Sequence, residues 1–390
     1  MIRHIAAPTA VITLVLLAAG ASSADGLAEP TVSSPATAYV VNLVPGAIGS
    51  VFPIDTATNA AGPPIRVGKR PVNAAVTPDA KTAYVVNGGS NDVTPVTVAT
   101  NKPGEPIRVG TSPVNVAVTP NGKTAYVVNN SSNTVTPIST ATNTTGTAIK
   151  VRNSPYGIGI TPNGKTVYVL NLLGTVTPIA TATNTPGKPI RVGYDPIAIA
   201  ITPDSSTAYV IGSGSGDVTP IATAANTPGK AIKPCPGPDA IAITPSGSTA
   251  YVVCTGGGTG AQSGSVTPIA TATNTPGKRI SVGANPVNIA ITPNGKTAYV
   301  VNNSSNTVTP ISTATNTAGK PIKVAAAPIE IAIRPDGLEA YVIHAPVFGH
   351  QQRRCAYPCP STVTPISTAT NTSGKPIKVG QNSVAIVITP

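Results

Sequence analysis

Tryptophan is absent from this 390-residue chain, phenylalanine occurs twice and methionine once. Charged residues make up only 10%. The aromatics are taken up by structure, which leaves few for stacking on bases or sugars, and long helices are not expected. Histidine is scarce as well, with three in all and one of them at position 4. No Ser, His and Asp set can be assembled from what is left, and the acids fall mostly in turn sequences. Beyond the first thirty residues no apolar run is long enough to cross a membrane.

Proline and glycine, by contrast, are abundant at 42 and 37 residues, and hydrophobic residues reach 41%. That mixture is expected of many short strands joined by tight turns. Eight of the 11 tyrosines fall at one recurring position: Tyr39, Tyr84, Tyr126, Tyr168, Tyr209, Tyr251, Tyr299 and Tyr341, spaced by 45, 42, 42, 41, 42, 48 and 42 residues. A fixed period of this length marks a repeat architecture, so eight units are expected rather than several unrelated domains.

Unit three shows the pattern. Val114 to Thr119 (strand A), Thr124 to Asn129 (B), Thr134 to Ile138 (C) and Ile149 to Val151 (D) alternate with turns. The A-to-B link, Pro120-Asn121-Gly122, presets one turn dihedral with proline and accepts positive φ at glycine. Asp79, Asp204 and Asp336 occupy the Asn121 position and read as turn formers. Strand B is apolar on both alternating sets, so both of its faces are covered. Proline in strand C (Pro137, Pro178, Pro220, Pro268, Pro310, Pro365) predicts a break in C-to-D pairing. A basic residue in strand D (Arg66, Arg108, Lys150, Arg191, Lys233, Lys323, Lys378) guards an exposed edge.

Four short antiparallel strands repeated in this way predict an all-β β-propeller of eight four-stranded blades, with seven as the alternative. The repeats begin at strand B (36–42) and stop after strand A (384–389). One blade is therefore expected to pair N-terminal with C-terminal strands and close the ring. The Tyr-Val-Val-Asn of 84–87, 126–129 and 299–302, preceded by Pro-Asn/Asp-x-Lys-Thr-Ala, resembles the YVTN family of β-propeller repeats. The resemblance covers 36–390 and implies a bacterial or archaeal extracellular or cell-surface propeller, without implying one activity. The third residue of the namesake motif is Val here, a β-branched exchange for Thr.

Residues 1–24 read as a secretory signal peptide: Arg3, an apolar run over 10–19, and the small residues Ala21 to Ala24 before cleavage. A short linker, 25–35, precedes a single propeller domain, 36–390. Four cysteines in a secreted chain suggest disulfides. Cys235 enters strand A and Cys254 leaves strand B of one hairpin, so these two meet, and Cys355 pairs with Cys359. Zinc-ligand spacing is not matched, and no metal or other cofactor is expected.

Two insertions, 255–264 and 345–361, leave the face shared by the D-to-A and B-to-C connections, where propellers usually bind ligands. The second carries His350, Arg353, Arg354 and Tyr357. On the same face the hairpin register is expected to pair Asn115 with Asn129 and, in unit eight, Glu330 with His344. The carboxylate would then raise the imidazole pKa, and the pair with His350, Arg353, Arg354 and Tyr357 forms the candidate ligand site. The net charge of +12 raises the question of a polyanionic partner. Its carriers are repeat positions spread around the rim, which argues against specific nucleic-acid binding. The functional expectation is a monomeric, secreted or cell-envelope, non-catalytic binding or scaffold propeller for an unidentified extracellular or cell-wall ligand. The alternative is a propeller enzyme of lactonase or lyase type with its site at the channel mouth.

Overall fold

The computed structural model describes residues 36–44, 46–256, 263–344 and 360–390. They form eight antiparallel sheets and no helix. Each sheet is one blade of a β-propeller. Blade 3 is representative: strands A (Pro113–Val118), B (Thr124–Asn129) and C (Thr134–Ser139) pair in order. The fourth strand is split into Thr144–Thr145 and Ile149–Lys150. The first half pairs with Ile138 and Ser139, the second with Thr134 and Val135, and the gap falls at Thr136 and Pro137. Proline has no N–H to donate there, but its carbonyl still accepts from Gly146 N at 2.8 Å.

Strand B is the most buried element of every blade, with five of six residues covered in blade 3. Hydrophobic clusters lie between blades rather than within them. Tyr126, Val128 and Ile149 of blade 3 pack on Ile158, Val167 and Ile179 of blade 4, and the other clusters share the same plan. This arrangement is why strand B reads as apolar on both faces. The strand D cations are exposed along the rim, as the edge-protection reading requires.

Each junction also carries one hydrogen bond that sequence reading did not anticipate. The repeated tyrosine donates from its hydroxyl to an asparagine in the C-to-D turn of the next blade: Tyr126 to Asn184 at 2.6 Å, Tyr84 to Asn143 at 2.7 Å. All eight tyrosines do this, ending with Tyr341 to Asn59. The accepting asparagines hold positive φ, near 55°, a conformation that asparagine tolerates better than most side chains. Burial pushes most of the phenols up, Tyr84 and Tyr168 to about 12, so they remain donors.

Ring closure matches the expected scheme. Strand A of blade 1 is the C-terminal Ser383–Ile388, and it pairs with the N-terminal strand B, Thr37–Asn42. Thr389 N donates to Thr37 O at 3.0 Å. Blade 8 then clamps the N-terminal part of blade 1 with a charged cluster of Arg334, Asp336 and Glu339. Arg334 Nη1 donates to Thr56 O at 3.1 Å and lies 3.6 Å from Glu339 Oε2, while Arg334 Nη2 meets Asp336 Oδ2 at 2.6 Å. Glu339 Oε1 accepts from Asn59 Nδ2 at 3.2 Å. A cavity of about 420 Å³ opens beside this network, lined by Asn59, Glu339, Pro365 and Lys375.

The turn aspartates behave as read. Asp79 Oδ1 accepts from Thr77 Oγ1 at 2.6 Å and from Lys81 N at 3.1 Å, and the Thr77 bond leads in holding its carboxyl below the usual range. One boundary moves. In blades 6 and 8, strand C starts earlier than expected, at Ser263 and at Pro360, because strands C and D extend together there. The insertions are correspondingly shorter than 255–264 and 345–361.

Candidate functional site

The eight A strands touch one another in a closed circle and line the central channel. Each begins on the face where strand B ends and where both insertions leave the sheet. Strand A carries a β-bulge at this end. In blade 3 Pro113 faces Asn129, but Asn115 faces Val128, so one extra residue sits between them. A bulge of this kind turns the local side-chain alternation and re-aims the side chains beyond it.

That bulge corrects the expected pairing in unit eight. Pro328, not Glu330, lies opposite His344, and Glu330 lies opposite Ile343. Ile343 and His344 are consecutive in one strand, so Glu330 and His344 project from opposite faces of the sheet. Glu330, 1% exposed, turns towards blade 1, where its Oε2 accepts from Ile386 N at 3.0 Å. His344, 3% exposed, turns the other way, under the D-to-A turn at Ala325 and Ala326. Burial drives its pKa down to about 4, with the two alanine carbonyls opposing. The expected rise is therefore reversed, and the imidazole is neutral at pH 7. Neither ring nitrogen completes a hydrogen bond among the described residues. His350, Arg353, Arg354, Cys355, Tyr357 and Cys359 lie outside the described residues.

The His344 position is one slot of a ring that obeys a simple rule. In blades 1, 2, 3 and 7 the end of strand B is asparagine, and the D-to-A turn lays a glycine over it. A Cβ at Gly110 would fall 2.7 Å from Asn129 Cγ, so the turn cannot approach with a larger residue. Asn129 Nδ2 donates to Thr136 Oγ1 at 2.9 Å, and Asn302 does the same to Thr309 at 2.9 Å. These asparagines thus tie strand B to the threonines of strand C rather than to strand-end amides. The amide role belongs to strand A, where Asn115 Oδ1 accepts from Val116 N at 2.9 Å.

In blade 6 the glycine and asparagine of this slot become Cys235 and Cys254, which stand at disulfide distance with Cα atoms 6.1 Å apart. This is the pairing read from the sequence. In blade 8 the same slot holds Ala325 and His344. This one slot accounts for Cys235, Cys254 and His344 among the residues that sequence reading singled out.

A different position breaks the repeat towards the channel itself. The second residue of strand A, at the bulge, is Val72, Val114, Ile197, Val287, Ile329 or Val384 in six blades. In blade 4 it is Tyr156 and in blade 6 it is Asp239. Burial raises the Asp239 pKa to about 6. Sequence reading passed over both residues because it compared the third residue of strand A, whereas the bulge gives the channel to the second. An acid in an otherwise aliphatic column was the available signal. Among the described residues no three His, Cys, Asp or Glu side chains gather to hold a metal.

No protein-family model matches the sequence, and no curated protein matches it. Solved structures do resemble the fold. Hydrazine synthase of Kuenenia stuttgartiensis aligns with a TM-score of 0.60 at 23% identity, covering 77% of this chain and 96% of that one. The dihydro-heme d1 dehydrogenase NirN, in complex with DHE, aligns at 0.69 and 12% identity over 90% of this chain and 74% of that one. A functionally unknown protein from Desulfotomaculum acetoxidans aligns at 0.59 and 17% identity over 79% and 99%. At these identities the likeness is one of fold, an arrangement that supports many unrelated functions.

Proposed function

We propose that this propeller is a secreted or envelope binding protein of the YVTN type, taking its ligand at the channel mouth on the face where the A strands begin. The observation that carries the reading is where the repeat gives way. At the channel-facing second position of strand A, Tyr156 and Asp239 replace aliphatic residues, and Glu330 stands one residue further along in blade 8. At the other end every one of these strands finishes in Val or Ile. Extra chain leaves the sheet only on the mouth side, and variation on a rigid scaffold is where binding concentrates. The signal-like segment 1–24 and the Cys235 and Cys254 pair support placement outside the cytoplasm.

An acid/base enzyme built on Glu330 and His344 loses its motivation, because the two residues are on opposite faces and His344 is enclosed. The test is a thermal-shift screen of the full chain against metals, lactones and cell-wall polymers, repeated on Val287→Trp. Val287 is half-buried at the mouth, and an indole there narrows the opening. Any ligand shift should vanish in Val287→Trp. A shift that survives it would place the site elsewhere and overturn the reading.

A further inference from the structure

The channel wall is uniform apart from one charge. Besides Tyr156 and Asp239, every half-exposed residue on the eight inner strands is Val, Ile or Ala. These strands have no neighbour on their inner edge, so what they leave half-exposed faces the channel. Asp239 sits in this aliphatic collar and makes no hydrogen bond or ion pair with any described residue. The elements packed on its strand bring it no counter-charge. The A strands of blades 5 and 7 (Pro196–Ile201 and Pro286–Ile291) contain no titratable group. The B strands of blades 5 and 6 contribute only Tyr209 and Tyr251, whose hydroxyls are committed to Asn274 and Asn316.

An unpartnered carboxylate against aliphatic wall is a costly thing to keep unless something bound there offsets it. We propose that the channel mouth binds an aliphatic ammonium, with Asp239 receiving the charged head and the Val and Ile collar receiving the chain. The inference rests on the mouth being the binding site. A divalent metal fits less well, since it demands several oxygen ligands and Asp239 offers one carboxylate among aliphatic neighbours. A polyamine would lay its further charges along bare hydrocarbon. An anionic amphiphile would meet the carboxylate with like charge. A six-residue strand spans about 20 Å, so an extended alkyl chain finds wall contact along its length.

Matched eight-carbon probes separate these terms. Octylammonium, octanol and octanoate are titrated calorimetrically, below their aggregation concentrations, into the full chain, Asp239→Asn and Val287→Trp. Octylammonium should bind once per chain, on the order of 30-fold tighter than octanol, with octanoate weakest. Asp239→Asn should bring octylammonium down to the octanol level and leave octanol unchanged, which also reports an intact channel. Wild-type affinity for octylammonium should fall as pH drops through about 6, where Asp239 protonates. Octylammonium binding no tighter than octanol, or an Asp239→Asn protein that keeps its preference, would overturn the ammonium proposal. If Val287→Trp still abolished octanol binding in that case, the mouth reading would stand alone. Binding of every probe undiminished in Val287→Trp would remove both.

Discussion

The junction between blades 3 and 4 and the junction between blades 8 and 1 use the same parts under different constraints. Both have a tyrosine hydroxyl on a turn asparagine, Tyr126 on Asn184 and Tyr341 on Asn59. Both bury an interblade hydrophobic cluster. At the first, the whole of blade 4 comes after blade 3 in the chain. At the second, only strand A of blade 1 comes after blade 8, and the other strands of that blade belong to the opposite terminus. Those N-terminal strands are held to blade 8 by non-covalent contacts alone, and closing so long a loop costs entropy that local junctions do not incur. Arg334, Asp336 and Glu339 occur here, and they reach Thr56 and Asn59, on the segment that lacks a covalent tie. The repeat is edited at the place where repetition is least sufficient.

Removing the closure should have the largest effect. Deleting 383–390 strips blade 1 of strand A and uncovers Ala38, Val40 and Ile54, which are fully buried. The product should be insoluble or lose most of its thermal transition. An unchanged melting temperature would mean the ring does not need its seam, and the contrast with ordinary junctions would collapse.

The disulfide in blade 6 offers a second probe away from the seam. Replacing Cys235 with Gly and Cys254 with Asn installs the pair found in blades 3 and 7. With a sequence separation of 19 residues, the loss should be about 3 kcal/mol, read from denaturant midpoints at constant slope.

The opposed titrations of Asp239 and His344 test the mouth against the ring below it. His344 has a folded pKa of about 4 against 6.5 unfolded, so its contribution is present above 6.5 and is lost as pH falls towards 4. Asp239 is raised from 3.8 to about 6, so its contribution is present below 3.8 and is lost as pH rises through 6. Each amounts to about 2 to 3 kcal/mol, with Asp239 the smaller because its carboxylate is open to the channel. The two nearly cancel in the intact protein. His344→Asn should therefore become more stable from pH 6 to 4, and Asp239→Asn less stable over the same interval. Parallel melting curves for both variants would show that one of these groups is not buried as described.

The smallest expected effects compare the junctions directly. Tyr126→Phe leaves Asn184 Oδ1 without its donor and should cost about 1 to 2 kcal/mol. Replacing Arg334 and Glu339 together with Thr, the residue of sister units, should cost about 1 kcal/mol, because the pair is only partly shielded from solvent. The seam variant should unfold faster while leaving hydrogen exchange in blades 3 and 4 unchanged. Equal loss of protection around the ring would mean that Arg334 and Glu339 do nothing specific to closure.

Much of the fold was legible in the sequence because the repeat states it eight times. Pro-Asn-Gly names a turn whose glycine carries φ near 70° in the structure. Pro137 names a break in the ladder, and the offset between the first strand B and the last strand A names the closure. The Cys235 and Cys254 pair was legible for the same reason, since both lie at the end of a hairpin whose strands are plain from their pattern. The candidate site was not legible in this way. Reading Glu330 opposite His344 assumed an unbroken ladder, and nothing in Pro-Ile-Glu-Ile announces a bulge.

Strand content, strand order, blade number and the closing partner are thus properties of the sequence alone, because period and turn chemistry are local and add along the chain. Which side chains face the channel, which face a neighbouring blade, and which carboxylate finds no partner among the described residues were decided by the tertiary structure. One extra residue in each inner strand shifts the alternation by one, and only the closed ring shows which side of that strand is empty.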